Sequence, residues 1–416
     1  MKKTKLALAI TASALMSQPV LATNGDHLIG LGAQARALGG TGTAAFFGSE
    51  NALTNPALIG KSQGTEFAIG GTLFKPSVKA TTNVAAPPGQ QASQTSANDT
   101  NIIPEVSLST RINDNWTFGV GIFGSAGMGV DYRDNGGYPD GSGLFNGYSN
   151  LQLMKFAPTL AYNSERFGLG FAPVIQYGAL DINYNNGANV GNGMSTDLGW
   201  GFNLGGYFDI TQDLTLGLAY QSAINMKYKN QISRAAAGFN LPAFGVNFGD
   251  ELEQPAEIKA GIAYTLNNWL FTVDAKQIRW GDAKGYKDFN WKDQNVFGAG
   301  VKYSRERYWV GLGYNYGSDP IEKKSSTSYV NQAVNLFNNH FFPGIVEQHF
   351  TLGGGYNLTQ NMTLEGAIVY APEVTKTVGT GYVTGGFMDN PMMNAGTSHK
   401  VTHSQMGYTL SLRMNF

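Results

Sequence analysis

Tyr408-Thr-Leu-Ser-Leu-Arg-Met-Asn-Phe416 closes the chain. In an extended strand Tyr408, Leu410, Leu412, Met414 and Phe416 share one face, and Thr409, Ser411, Arg413 and Asn415 share the other. A last strand that is apolar on one side, polar on the other and ends in Phe has the form of the final strand of a bacterial outer-membrane barrel. Barrel-assembly machinery would engage the chain through this strand.

The opposite end agrees. Met1-Lys-Lys-Thr-Lys5 is a basic head, Leu6 to Met16 a short apolar run, and Val20-Leu21-Ala22 supplies the −3 and −1 positions of a cleavage site. Residues 1–22 therefore read as a secretory signal peptide, and the mature chain begins at Thr23. No later run has the ~18 uninterrupted apolar residues of a spanning helix. There is no Cys, which excludes disulfides and thiolate metal sites. Charged residues are 14% and the net charge is −1, which gives no footprint for nucleic acid. So low a charge threatens the solubility of a large soluble protein, but costs little where a belt of surface faces lipid.

Between the ends, strand-sized runs fall at 65–79, 102–111, 116–129, 151–162, 167–184, 197–210, 214–227, 257–266, 269–278, 295–304, 308–316, 347–357, 362–371 and 404–416. Fourteen is an even number, as single-chain barrels require, and ~9–11 residues make one crossing. The connectors alternate. Short polar ones (112–115, 163–166, 211–213, 267–268, 305–307, 359–361) suit tight turns. Long ones lie at 80–101, 130–150, 185–196, 228–256, 279–294, 317–346 and 372–403. The expected fold is all-β: a fourteen-stranded antiparallel transmembrane barrel over 63–416, with short periplasmic turns, long outer loops and both chain ends in the periplasm. In 257–266, Ile258, Ala260, Ile262, Tyr264 and Leu266 should face lipid, with Glu257, Lys259 and Thr265 inward. Tyr308, Val310, Leu312, Tyr314 and Tyr316 form a second outer stripe. Trp116, Trp269, Trp309 and Tyr356 are expected in the aromatic girdles.

Residues 23–62 do not read as a strand. They hold Gly32-Ala-Gln-Ala-Arg36-Ala-Leu-Gly39-Gly40 and Asn55-Pro56-Ala57. With these two motifs in order the chain resembles the FadL family, outer-membrane transporters of long-chain fatty acids and aromatic hydrocarbons. Trp200-Gly-Phe-Asn-Leu-Gly-Gly-Tyr207, Leu218-Ala-Tyr-Gln-Ser222 with Lys227, and Phe289-Asn-Trp-Lys-Asp293 followed by Gly298 to Tyr303 extend the likeness over most of the mature chain. The resemblance implies that 23–62 is a luminal hatch, with Gly32, Arg36, Gly39, Gly40, Asn55, Pro56 and Ala57 as its motif residues. Gly and Ala pack closely, Pro56 fixes a bend, and Arg36 needs a polar or carboxylate partner.

The resemblance also implies a side exit through an inward kink in the third strand. That kink would sit at Gly124, Ser125, Ala126 and Gly127, where small residues weaken pairing. The family usually has Pro and an aromatic there, so a shallower kink is expected. Substrate capture is assigned to Leu144, Phe145, Phe239, Leu241, Phe244, Val246 and Phe248, an exposed apolar set in predicted loops. An alternative is that these residues pack together as a lid. The 185–196 connector is short where the family often has a long loop. Lys155, Lys259, Lys276 and Arg413 are luminal candidates for pairing with a carboxylate headgroup.

Other patterns carry less. Gly119-Val-Gly-Ile-Phe-Gly124 lacks the helix a dinucleotide site needs. His399 and His403 lie in a predicted loop. Asp131, Asp134 and Asp140 could meet divalent cations at the lipopolysaccharide surface, but a solvated loop explains them as well. No Gly-x-Ser-x-Gly elbow is present, so no enzyme is indicated. The expected protein is a monomer in the outer membrane of a Gram-negative bacterium, moving hydrophobic small molecules passively, without metal or cofactor. A general porin and a loop-mediated adhesin or lipid enzyme are the alternatives.

Overall fold

The structure is a computed structural model that describes residues 23–83, 91–133, 144–185, 188–325, 327–384 and 397–416. Residues 1–22, expected as a signal peptide, and Asp134 and Asp140 lie outside the described residues.

Fourteen antiparallel strands form the wall. They are β1 (Thr65–Thr82), β2 (Asn101–Arg111), β3 (Trp116–Asp131), β4 (Tyr148–Asn163), β5 (Phe167–Asn185), β6 (Ser195–Asp209) and β7 (Leu214–Gln221). The second half is β8 (Glu257–Leu266), β9 (Trp269–Ile278), β10 (Gln294–Ser304), β11 (Tyr308–Gly317), β12 (Gln348–Thr359), β13 (Met362–Gly379) and β14 (Ser398–Asn415). Each strand pairs with its chain neighbours. β14 then pairs β1 from Asn415 opposite Glu66 to His399 opposite Thr82. Closure leaves β1 and β14 without a free edge, as hydrocarbon demands because it cannot solvate backbone N–H and C=O groups.

The faces follow the period of two. Ile258, Ile262, Tyr264 and Leu266 are exposed on β8, as are Tyr308, Val310, Leu312, Tyr314 and Tyr316 on β11 and Tyr408 and Leu410 on β14. Trp116, Trp269 and Tyr356 are exposed as well. Trp309 departs from the girdle reading. Next to outward Tyr308 it must point inward, where it is buried against Ala37 and Ala367 and donates its indole N–H to Glu365 at 3.2 Å.

Turns at one end are short. Asn267, at φ 54°, makes the Asn267-Asn268 hairpin possible. At the other end several strands run well past the ~9–11 residues a crossing needs. β1, β13 and β14 have 18 residues each and β5 has 19. His399 and His403, expected in a loop, therefore lie in β14. A strand that continues beyond lipid loses its apolar stripe and reads as loop. The outer connectors also carry helices at Ile232–Gly238 and Tyr329–Phe341, packed into one large apolar cluster.

Residues 23–62 occupy the lumen. Thr23 donates its backbone N–H to Gln405 of β14 at 3.1 Å, so the described chain starts inside the barrel rather than in the periplasm. From there the segment descends to Ser62, whose hydroxyl meets Ser109 of β2 at 2.8 Å just before β1 begins.

Candidate functional site: the luminal segment, a cationic cavity and a gap in the wall

The Gly/Ala composition of 23–62 allows backbone to approach backbone. The helix Gly32–Ala37 presents Ala33 and Ala37, both buried, to its surroundings. Gly39 has φ 69°, and a Cβ there would stand 2.4 Å from the Tyr314 carbonyl oxygen. Its N–H donates to Thr351 Oγ1 at 3.0 Å, and its carbonyl accepts from Asn315 Nδ2 at 3.0 Å. Gly40, at φ 75°, lies against the Ile29 backbone. The Gly42 and Thr43 N–H groups both donate to Asp274 at 2.9 Å. Asn55 uses its whole amide: Nδ2 donates to Thr43 O and Gly206 O, and Oδ1 accepts from Ala57 N to cap the turn Pro56–Lys61. Ala57 lies on Gly170 of β5, where a side chain would collide with its backbone.

Two buried charge clusters fasten the segment. Arg36 forms a forked pair with Glu105 of β2, and Gly32 N–H donates to the same carboxylate at 3.2 Å. This supplies the partner the sequence demanded. Arg413 of β14 meets Glu50 at 3.0 Å, Glu365 at 3.0 Å, and Glu66. Three carboxylates around one guanidinium leave no place for an anionic headgroup, so Arg413 is corrected from a headgroup candidate to a structural anchor. Burial pushes the Glu50 carboxyl up to about 7, against the opposing pull of Arg413.

The remaining three candidate cations come together. Lys155, Lys259 and Lys276 line one cavity of about 70 Å³ with His27, Ser125, Glu257, Asp274, Leu28, Ile29, Leu31 and Leu53. Lys259 and Lys276 are directly opposed on β8 and β9. Glu257 stands between them, 2.9 Å from Lys259 Nζ and 4.0 Å from Lys276 Nζ. Its other oxygen contacts His27 Nδ1 at 2.5 Å. His27 Nε2 bonds Gln254 at 2.7 Å, and Asp26 accepts from Tyr286 and Gln254 of the outer loops. Burial raises the Asp26 carboxyl above its usual range, more than His27 and these donors lower it. Such a cavity, with roughly 10–15 Å³ needed per water, takes a headgroup and not an acyl chain. Glu257 was legible only as an inward position, and its partnership with His27, 230 residues away, had no sequence signal.

Beside the cavity the wall changes. The β2–β3 ladder ends at Glu105 opposite Phe123. Farther out, Asn101–Pro104 pairs only with β1. On its other side β3 slips register against β4 between Gly124 and Ala126, with Ser125 the extra residue. The stretch Phe123 to Val130 is buried without alternation. Its new partner is the luminal segment: His27 bridges Ala126, and Gly127 N–H donates to Asp26 O at 3.0 Å. The gap closes again where Ala97 N–H donates to Asp131 O at 2.8 Å. Between these limits Ile103 fills the space. A Cβ on Gly124 would stand 2.6 Å from its Cγ2. Ile103 was not singled out from sequence, since only the missing ladder gives it a role.

The outer apolar residues divide. Leu144, Phe145, Phe239 and Leu241 are buried in the outer cluster, which corrects their reading as an exposed capture surface. Phe239 packs on Tyr184, Phe337 and Phe341. Phe248 stacks on Phe289 and Val246 is half-buried. Phe244 alone of the seven is exposed, stacked on Tyr329. These loops therefore form a packed lid.

A closed fourteen-stranded wall with an apolar outer belt, a filled lumen and an interrupted β2–β3 ladder defines a channel of the outer membrane. Residues 28–416 match the family described as Outer membrane protein transport protein (OMPP1/FadL/TodX), and the chain belongs to that family. It is a transport protein, not an enzyme. A long-chain fatty acid transport protein of Escherichia coli O6:H1 is 25% identical over 382 residues, covering 77% of this chain and 83% of the relative. The fold is shared with the Pseudomonas putida toluene transporter TodX (TM-score 0.65, 17% identity, 93% of this chain and 99% of that one). It is shared likewise with a Pseudomonas aeruginosa FadL homologue (TM-score 0.66, 14% identity, 94% and 100%).

Proposed function

We propose that this channel admits long-chain fatty acids, with residues 23–62 as its hatch, and releases them sideways between β2 and β3 into the bilayer. One observation carries the choice of cargo: three lysines line a small cavity that holds only two carboxylates, Glu257 and Asp274, and that touches Ser125 at the slipped register. A neutral hydrocarbon gains nothing from buried ammonium groups, whereas a carboxylate repays their desolvation with charge-assisted hydrogen bonds. One relative is described as a fatty acid transporter and another as a toluene transporter. The lysines favour the first class.

The side exit follows from energetics. Each CH₂ moved from an apolar site into water costs about 0.8 kcal/mol. A sixteen-carbon chain delivered to periplasmic water would cost on the order of 12 kcal/mol, and delivery into the bilayer avoids that. The cavity as it stands is headgroup-sized, so the hatch must shift for the chain to pass. A general porin is disfavoured by a lumen filled with close-packed backbone. In this reading the lid faces lipopolysaccharide, Phe416 serves the assembly machinery, and a single barrel suffices.

The test is equilibrium binding of palmitate, methyl palmitate and toluene to the purified, folded barrel. Palmitate should bind, and Lys259→Gln with Lys276→Gln should weaken it at least tenfold. Toluene binding unaffected by those changes, without palmitate binding, would overturn the fatty-acid reading.

A further inference from the structure

Lys259 and Lys276 are opposed across β8 and β9 inside the lumen, an arrangement that like-charge repulsion disfavours. Only a carboxylate between them makes it tolerable, and that carboxylate belongs to the protein. Glu257 precedes Lys259 by two positions, so both side chains share the inner face. One oxygen serves the lysines while the other holds His27. His27 is the residue bridged to Ala126, in the stretch of β3 that has left its β2 partner. One side chain thus pairs with both opposed lysines and ties down the chain segment that lines the gap.

From this we infer that Glu257 is an internal stand-in for the cargo's carboxylate and is the residue that makes passage selective for anionic over neutral chains. This rests on the fatty-acid reading above. An incoming carboxylate offers Lys259 and Lys276 the same negative charge that Glu257 offers. The exchange therefore leaves the lysines neutralised while Glu257 swings away. His27 loses its Nδ1 partner in the same movement, and Thr23–Leu28 comes free of Ala126 beside the gap. A neutral chain cannot make the exchange. Expelling Glu257 without a replacement would leave two lysines facing each other in a buried site. Selectivity then lies not in affinity for the tail but in which headgroup can replace the protein's own.

The experiment uses the full mature protein in detergent, with folding checked by the heat-dependent shift in electrophoretic mobility of intact barrels. Palmitate and methyl palmitate are compared by binding titration and by amide exchange over 23–30 and 120–130. In the wild type, palmitate should raise exchange in both stretches and methyl palmitate should not. Glu257→Gln should bind palmitate at least tenfold more tightly, the competitor being gone, and should exchange fast at 23–30 without cargo. His27→Gln, which leaves the lysines and Glu257 in place, should exchange fast at 23–30 without cargo, and palmitate should raise that exchange no further. That variant carries the test should Glu257→Gln fail to fold. Equal effects of palmitate and methyl palmitate on wild-type exchange would overturn the inference, as would a folded Glu257→Gln protein with unchanged affinity and exchange. Palmitate binding without either exchange response overturns the inference alone. Absence of palmitate binding overturns the transport reading as well.

Discussion

Replacing Arg36 with Ala removes one half of a forked ion pair that is buried at both ends. Arg36 is 2% exposed and Glu105 is 4% exposed. The loss leaves a carboxylate in the lumen with one remaining donor, the Gly32 N–H at 3.2 Å. Breaking a buried pair from one side costs about 3–5 kcal/mol. At about 1.4 kcal/mol per factor of ten, the helix Gly32–Ala37 should detach from the wall roughly two to three and a half orders of magnitude more often. The barrel should not unfold, because the β1–β2 ladder does not depend on Arg36. Nor should the lower part of the segment leave, since Arg413 still holds Glu50. The signature is therefore local: amide exchange at 32–40 accelerates by about a hundredfold or more, exchange at 51–62 changes little, and planar-bilayer recordings show frequent brief openings. Arg36→Met with Glu105→Met removes both charges and should recover most of the protection, because an apolar replacement of a buried pair is often near neutral. Wild-type exchange at 32–40 in Arg36→Ala would refute the reasoning that this pair fastens the segment.

Three further outcomes are expected. Gly124→Val places a side chain into Ile103; fatty-acid uptake by cells should fall at least tenfold while the barrel keeps its heat-modifiable mobility, and unchanged uptake would remove the side exit at this point. Gly39→Ala forces both a positive φ and a clash with the Tyr314 carbonyl, so exchange should rise around 38–43, and an unperturbed crystal structure of the variant would contradict the close approach. His340 in the lid is held neutral: burial lowers its pKa from 6.5 to about 4, while its Nε2 faces Leu144 O and its Nδ1 faces His399. Because the folded value lies below the free one, the packed lid is fully stabilised above about pH 6.5 and weakens as the pH falls toward 4. Exchange at 329–342 should rise on acidification beyond its intrinsic pH dependence, and a flat corrected profile from pH 7.5 to 4.5 would oppose this.

The wall and its orientation were written locally. A period of two, polar turns every strand length and a terminal Phe act between neighbouring residues, so β8, β11 and β14 could be read with their faces. The error at Trp309 was one of parity with Tyr308. The motif Gly32 to Gly40 and Asn55-Pro56-Ala57 likewise declared a close-packed backbone segment, and Arg36 declared that it needed a partner. Which partner it took was decided by closure. Bringing β14 against β1 makes Arg413 a neighbour of Glu50, Glu66 and Glu365, and turns a candidate ligand for cargo into an anchor. The same closure sets His27 against Glu257, beside Lys259 and Lys276, which the β8–β9 hairpin already holds face to face. Likewise, 124–127 announced weak pairing through its small residues, but the ending of the β2 ladder at Glu105 and the filling of the gap by Ile103 depend on what lies across it. Periodicity records the environment of one strand. A charge cluster or a missing ladder is a relation between strands far apart in sequence, and it exists only once the cylinder has closed around its own N-terminal segment.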